Sequence, residues 1–164
     1  MTRVDFYVLE SGTRETLFQF VCRLTEKAWR KGNRIFMHCH DDQTAAKLDD
    51  LLWTYRDISF LPHSLASHNE ETPIVIGVAT GPPDALPQAH GISPEALPET
   101  GSAQPKAYDL LINLADSVPE FFSRFERVIE TTGIDDQHRQ LARERYRYYQ
   151  QRGYALETHK ISGA

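Results

Sequence analysis

Two groups of side chains in this 164-residue sequence could do chemistry. The first is His38-Cys39-His40-Asp41-Asp42. In an extended segment His38 and His40 point to one face and could offer two nitrogen ligands to a metal. No second Cys/His group at suitable spacing completes a four-ligand set, so neither a metal nor another cofactor is expected. Asp41 or Asp42 also suits a helix N-cap directly after a strand. The carboxyl end of a strand is where open α/β sheets bind ligands. A nucleotide- or small-molecule-binding α/β enzyme centred on His38, His40 and Asp41 therefore stands as the alternative reading of function.

The second group lies between Asp135 and Gly153, where Arg139, Arg143, Arg145, Arg147 and Arg152 face three acids. The whole chain carries a net charge of −5, so this is a local reversal of sign. Asp135 or Asp136 at its start and Gly153 at its end predict one helix of about four turns. At about 100° per residue, Ile134, His138, Leu141, Ala142, Tyr148 and Tyr149 share one side. Arg139, Arg143 and Arg147 form an i, i+4, i+8 row on the other, with Tyr146 beside it. A cationic ridge next to an aromatic ring can receive carboxylates, phosphates or an acidic chain, or simply face water. Arg145 falls within the apolar arc and must snorkel outward or pair with a buried carboxylate.

The elements that would position these groups read as alternating strands and helices. Val4 to Leu9 is a strand interrupted only by Asp5, and Thr13 caps a helix running to about Lys31. Arg34 to Cys39 has the nearly continuous apolar character of a strand covered on both faces. A helix capped by Asp41 or Asp42 follows through Trp53. Ile58 to His63 is short, extended and Pro-terminated. Pro73 to Ala79, Tyr108 to Leu114 and Arg127 to Thr131 read as inner strands, and Tyr154 to Lys160 as a short edge strand. Pro119 suits the first turn of a helix over PEFFSRFERV. This order predicts an α/β fold: a single-domain, three-layer arrangement over residues 1–164 with a mostly parallel central sheet and helices on both faces. Six prolines between Thr80 and Lys106 block helix and ladder alike and mark a surface loop insertion at about 80–107.

Other chemistry finds no support. Neither a P-loop nor a G-x-G-x-x-G follows the first strand, and no G-x-S-x-G elbow occurs. Cys22 and Cys39 are too few for a disulfide framework and fit a reducing cytosol. No apolar run approaches a membrane helix, and a net acidic chain argues against a broad duplex footprint. Stacking of single-stranded nucleic acid on Tyr148 and Tyr149 is disfavoured because both fall on the core side, so little or no direct DNA binding is expected. Trp53, Phe60 and Pro62 are either core or anchors of an interface.

The sequence resembles the chi subunit of bacterial DNA polymerase III holoenzyme. The residues that carry the resemblance are DFYVL at the start, LDDLLW followed by SFLPHSLA, DLLINL with PEFFSRFERVIE, and above all LARERYRYYQQRGYALETHK. It covers nearly the whole chain, in order, and the Pro-rich segment departs from it in length. It implies a non-catalytic accessory subunit of the clamp-loader complex, in a bacterial cytoplasm at the replication fork. Such a protein bridges the psi subunit, as a heterodimer, to the acidic C-terminal tail of single-stranded-DNA-binding protein. By resemblance the tail site comprises Arg139, Arg143, Tyr146, Arg147, Leu156 and Thr158, and the psi surface Trp53, Phe60 and Pro62.

Overall fold

The computed structural model describes residues 2–10, 13–54, 62–65, 72–78, 108–132 and 135–161. Strand β1 (Arg3–Leu9) leads into helix α1 (Arg14–Arg30). The Thr13 side chain accepts from the Thr16 backbone N–H, and Thr16 answers in a capping box. This satisfies donors that the first turn would otherwise leave open. Gly32, at φ +93°, ends the helix in a conformation that a Cβ disfavours. Strand β2 (Ile35–Cys39) and helix α2 (Asp42–Thr54) follow, with the Asp41 carboxylate accepting from Thr44 N at 2.7 Å. Short strands β3 (His63–Leu65) and β4 (Ile74–Gly77) precede β5 (Leu110–Leu114), β6 (Arg127–Thr132), helix α3 (Asp136–Gln151) and β7 (Ala155–Ile161).

Among the described residues the strands form one sheet in the order β3-β4-β2-β5-β6-β1-β7, and every pairing is parallel. The sheet is thus more uniform than the mostly parallel one expected. Alternation along each strand sorts side chains into two cores. Ile35, Met37, Leu110, Ile112 and Ile129 meet Phe18, Val21 and Cys22 of α1 and Leu48 and Leu52 of α2 on one face. Val4, Phe6, Phe36, Leu111 and Val128 meet Phe121, Phe122, Phe125 and Tyr149 of α3 on the other. Helices therefore cover both faces.

One expectation fails. The segment after Pro119 forms only a 3₁₀ turn, Phe122–Arg124, instead of an α-helix. Strands β5 and β6 are parallel neighbours, so the chain must return along the length of a strand, about 17 Å. An α-helix from Pro119 to Glu126 would rise only about 1.5 Å per residue, whereas the chain takes a more extended path around the short 3₁₀ turn. Phe121, Phe122 and Phe125 are all buried, so the more extended path also seats three rings. The Pro-rich stretch at 80–107 and the segment at 58–61 lie outside the described residues.

Candidate protein-docking sites on the arginine helix and the opposite sheet edge

Helix α3 begins where the Asp135 carboxylate accepts from His138 N at 2.7 Å, and it ends before Gly153 at φ +78°. The His138 ring also holds that carboxylate, with Nδ1 2.6 Å from Oδ2, and both contacts keep Asp135 below the usual carboxylate range. Ala142, Arg145 and Tyr149 form its buried stripe at i, i+3, i+7. Arg145, 7% exposed, donates from Nε to Glu130 at 2.9 Å and from its terminal nitrogens to the carbonyls of Asp116 and Thr131, each at 3.0 Å. Glu130 also accepts from Asn113 at 2.9 Å and from the Tyr149 hydroxyl at 2.6 Å. Burial raises the Glu130 pKa, while the Arg145 guanidinium and these donors oppose the shift. Arg145 thus pairs with a buried carboxylate, the second of the two fates its place in the helical pattern allowed.

On the outer face Arg143 and Arg147 are exposed and Arg139 is half-buried. None of the three is ion-paired with another described residue. Tyr146 is half-buried, its ring edge-on to Phe6 of β1 at 5.2 Å. Strand β7 lies beside β1 with Val4 opposite Leu156 and Phe6 opposite Thr158. Since Val4 and Phe6 face α3, so do Leu156 and Thr158. Leu156 joins the same aromatic core as Tyr146, and Thr158 is exposed. The helix and the edge strand therefore present one surface, with an apolar floor and a cationic ridge along it.

At the far edge of the sheet Trp53 is 52% exposed, and its ring sits 4.4 Å from that of His63. Pro62, adjacent in sequence, is exposed. Phe60 lies outside the described residues. A half-exposed Trp beside an exposed Pro has the composition of an interface anchor rather than of core.

The histidine cluster separates. His38 is buried with its ring edge-on to Phe121 at 5.3 Å, and burial pushes its pKa down to about 4. His40 leaves the strand into solvent, 3.9 Å from Asp116, so the two rings share no ligand position. Burial pushes the Cys22 and Cys39 thiols up to about 12, which leaves them inert near neutrality.

Two features escaped the sequence. Asp5, which interrupts the first apolar strand, is fully buried beneath Arg127, Arg3 and His159. Its carboxylate lies within 4.8 Å of ligand atoms of Glu157 and His159, but the two guanidinium groups already compensate it. Glu130, the partner of Arg145, was hidden in an otherwise ordinary strand. In both cases the partners come from distant segments, so no local spacing signals them.

A doubly wound α/β domain of this architecture, with helices on both faces of a parallel sheet, defines a class that hosts many functions. The family model described as DNA polymerase III chi subunit, HolC, matches residues 1–157. A protein of Pseudomonas aeruginosa named DNA polymerase III subunit chi is 37% identical over 161 residues, spanning 98% of each chain. The protein of that name from Escherichia coli is 32% identical over 162 residues, covering 96% of this chain and 97% of its own. That of Haemophilus influenzae is 28% identical over 157 residues. The chain belongs to the DNA polymerase III chi subunit family, which places it among the subunits of the bacterial replicative polymerase. No described helix is long and apolar enough to cross a membrane.

Proposed function

We propose that this chain is a non-catalytic accessory subunit of the clamp-loader complex that joins psi to the acidic C-terminal tail of single-stranded-DNA-binding protein. The observation that carries the tail half is the outer face of α3, where Arg139, Arg143 and Arg147 have no ion-pair partner among the described residues. An unpaired cationic row beside a half-buried tyrosine complements a peptide of several acids ending in an aromatic residue. Arg–carboxylate contacts supply orientation and on-rate, and burial of one ring between α3 and β7 contributes about 1.5–3 kcal/mol. Such a site is micromolar, reversible and salt-sensitive, because exposed charges are screened.

The test is a fluorescence-anisotropy titration of the acidic tail peptide. Arg143→Ala is expected to weaken binding by about tenfold, as is removal of the terminal aromatic residue, each loss being near 1.4 kcal/mol. Unchanged affinity of a folded Arg143→Ala protein sinks the placement of the site. The psi half rests on exposed Trp53 and Pro62 at the opposite sheet edge, together with Phe60. Trp53→Ala is expected to abolish co-purification with psi while leaving the tail titration unchanged. Equal loss of both interactions would refute separate surfaces. The enzyme reading is not favoured, because His38 is turned into an aromatic core away from His40 and Asp41. With this role the chain works in the cytoplasm at the replication fork.

A further inference from the structure

Strand β7 ends the sheet on one side and pairs only with β1. Its inner side is identified by the Glu10 N–H, which donates to the Ile161 carbonyl at 3.0 Å. In a parallel ladder both backbone groups of one residue point to the same neighbour, and successive residues alternate. The register runs unbroken from Ala155 to Ile161, so the odd-numbered residues of β7 bond to β1. The N–H and C=O groups of Leu156, Thr158 and Lys160 therefore point away from the sheet, and no described residue pairs with them. The strand holds neither a proline nor a bulge to turn a partner away, and Thr158 and Lys160 are exposed.

The side chains of these three residues face α3, as do those of their register partners Val4, Phe6 and Val8. Charge is sorted between the two faces of β7. Its acid, Glu157, stands on the opposite face, 3.7 Å from His159, whereas Lys160 shares the α3 face with Arg143 and Arg147. Those two arginines are exposed and one helical turn apart, about 6 Å along the axis. Side chains on one face of an extended strand repeat every 6.6 Å or about that distance. A chain laid along β7 would thus carry acidic side chains nearly in step with the arginines while its backbone met the open groups. A helical peptide could meet the arginines but would leave the strand edge unpaired.

We propose that the acidic tail binds as an eighth strand on the free edge of β7, pairing with the backbone of Leu156, Thr158 and Lys160 and turning its acids toward Arg143 and Arg147. This mode rests on α3 being the tail site. Hydrogen exchange of the full chain, recorded free and saturated with tail peptide, tests it. The amides of Leu156, Thr158 and Lys160 are expected to slow by about tenfold or more, and those of Glu157 and His159, already bonded to β1, to stay as they are. Lys160→Pro removes one outward donor at a position where an edge strand tolerates proline, and Lys160→Gln removes only the charge. The proline variant should bind the peptide about fivefold more weakly than the glutamine variant, the loss of one hydrogen bond. A tail peptide N-methylated at alternate residues makes the same comparison on the unaltered chain, should Lys160→Pro release β7 from β1. Tail binding that Arg143→Ala weakens, with no slowing of the three amides, overturns the added strand and leaves the docking site standing. No tail binding at all overturns both. Slowing that appears without peptide and grows with protein concentration identifies a second copy of the chain as the occupant, and also overturns the proposal.

Discussion

Arg143 and Arg145 stand two residues apart on α3, one exposed and the other 7% exposed with three hydrogen-bonded partners. The consequences of removing them should differ in kind. Arg145→Met leaves Glu130 buried without its cation and is expected to cost about 3–5 kcal/mol in urea denaturation. Arg143→Ala should change stability by less than about 0.5 kcal/mol, its effect appearing in tail binding instead. His38 supplies a pH dependence. Its folded pKa is lowered to about 4 by burial from an ordinary 6.5, and its Nδ1 has no hydrogen-bond partner. The unfolded chain therefore takes up a proton that the folded chain refuses as pH falls below about 6.5. Stability from this group is complete above that pH and declines toward pH 4, by at most about 3 kcal/mol. Urea midpoints at pH 7.5 and pH 5 should differ less for His38→Phe than for the wild type.

The two faces of helix α3 have separate chemistry, one buried against the sheet and one carrying exposed arginines, and the helix's geometry depends on how it ends. Gly153, at φ +78°, turns the chain from α3 into β7 and so sets the surface that Tyr146, Leu156 and Thr158 share. A Cβ there would meet nothing within 4 Å, so the cost of Gly153→Ala is one of backbone conformation, about 1 kcal/mol. Thermal unfolding should register it as a lowered Tm, with a weaker tail complex if the register of β7 against β1 shifts. The 3₁₀ turn after Pro119 makes a related point. Local signals there favour a helix, yet the chain takes a short 3₁₀ turn that seats Phe121, Phe122 and Phe125 in the core.

Across the whole molecule the two proposed docking surfaces sit at opposite edges of the sheet, Trp53 and Pro62 beside β3 and the arginine row beside β7. Seven strands at their usual spacing separate these edges by about 29 Å. That is several Debye lengths at physiological salt, so direct charge coupling between the sites is negligible. A ternary complex is therefore expected, with tail affinity unchanged within about twofold when psi is bound. Titrating the tail peptide against the chain with and without psi checks this, and mutual exclusion would contradict it.

Much of the architecture was legible because parallel strands buried on both faces read as continuous apolar runs, and helix ends carry Thr13, Asp41, Asp135 and Gly153. The arginine row was legible too, since helical spacing is a local property. Helix periodicity also marked Arg145 as misplaced for a surface cation, but not which carboxylate receives it. Glu130 is fifteen residues away in sequence and meets it only across the helix–sheet contact. The same holds for Asp5 under Arg127 and His159 and for Tyr146 against Phe6. The sequence by itself determined the elements other than the turn after Pro119, the two-sided core and the row of charge, because these follow from residue type and local period. Strand order, the separation of the two edges and the partner of every buried charge were decided by the tertiary structure alone, because they depend on which distant segments pack together.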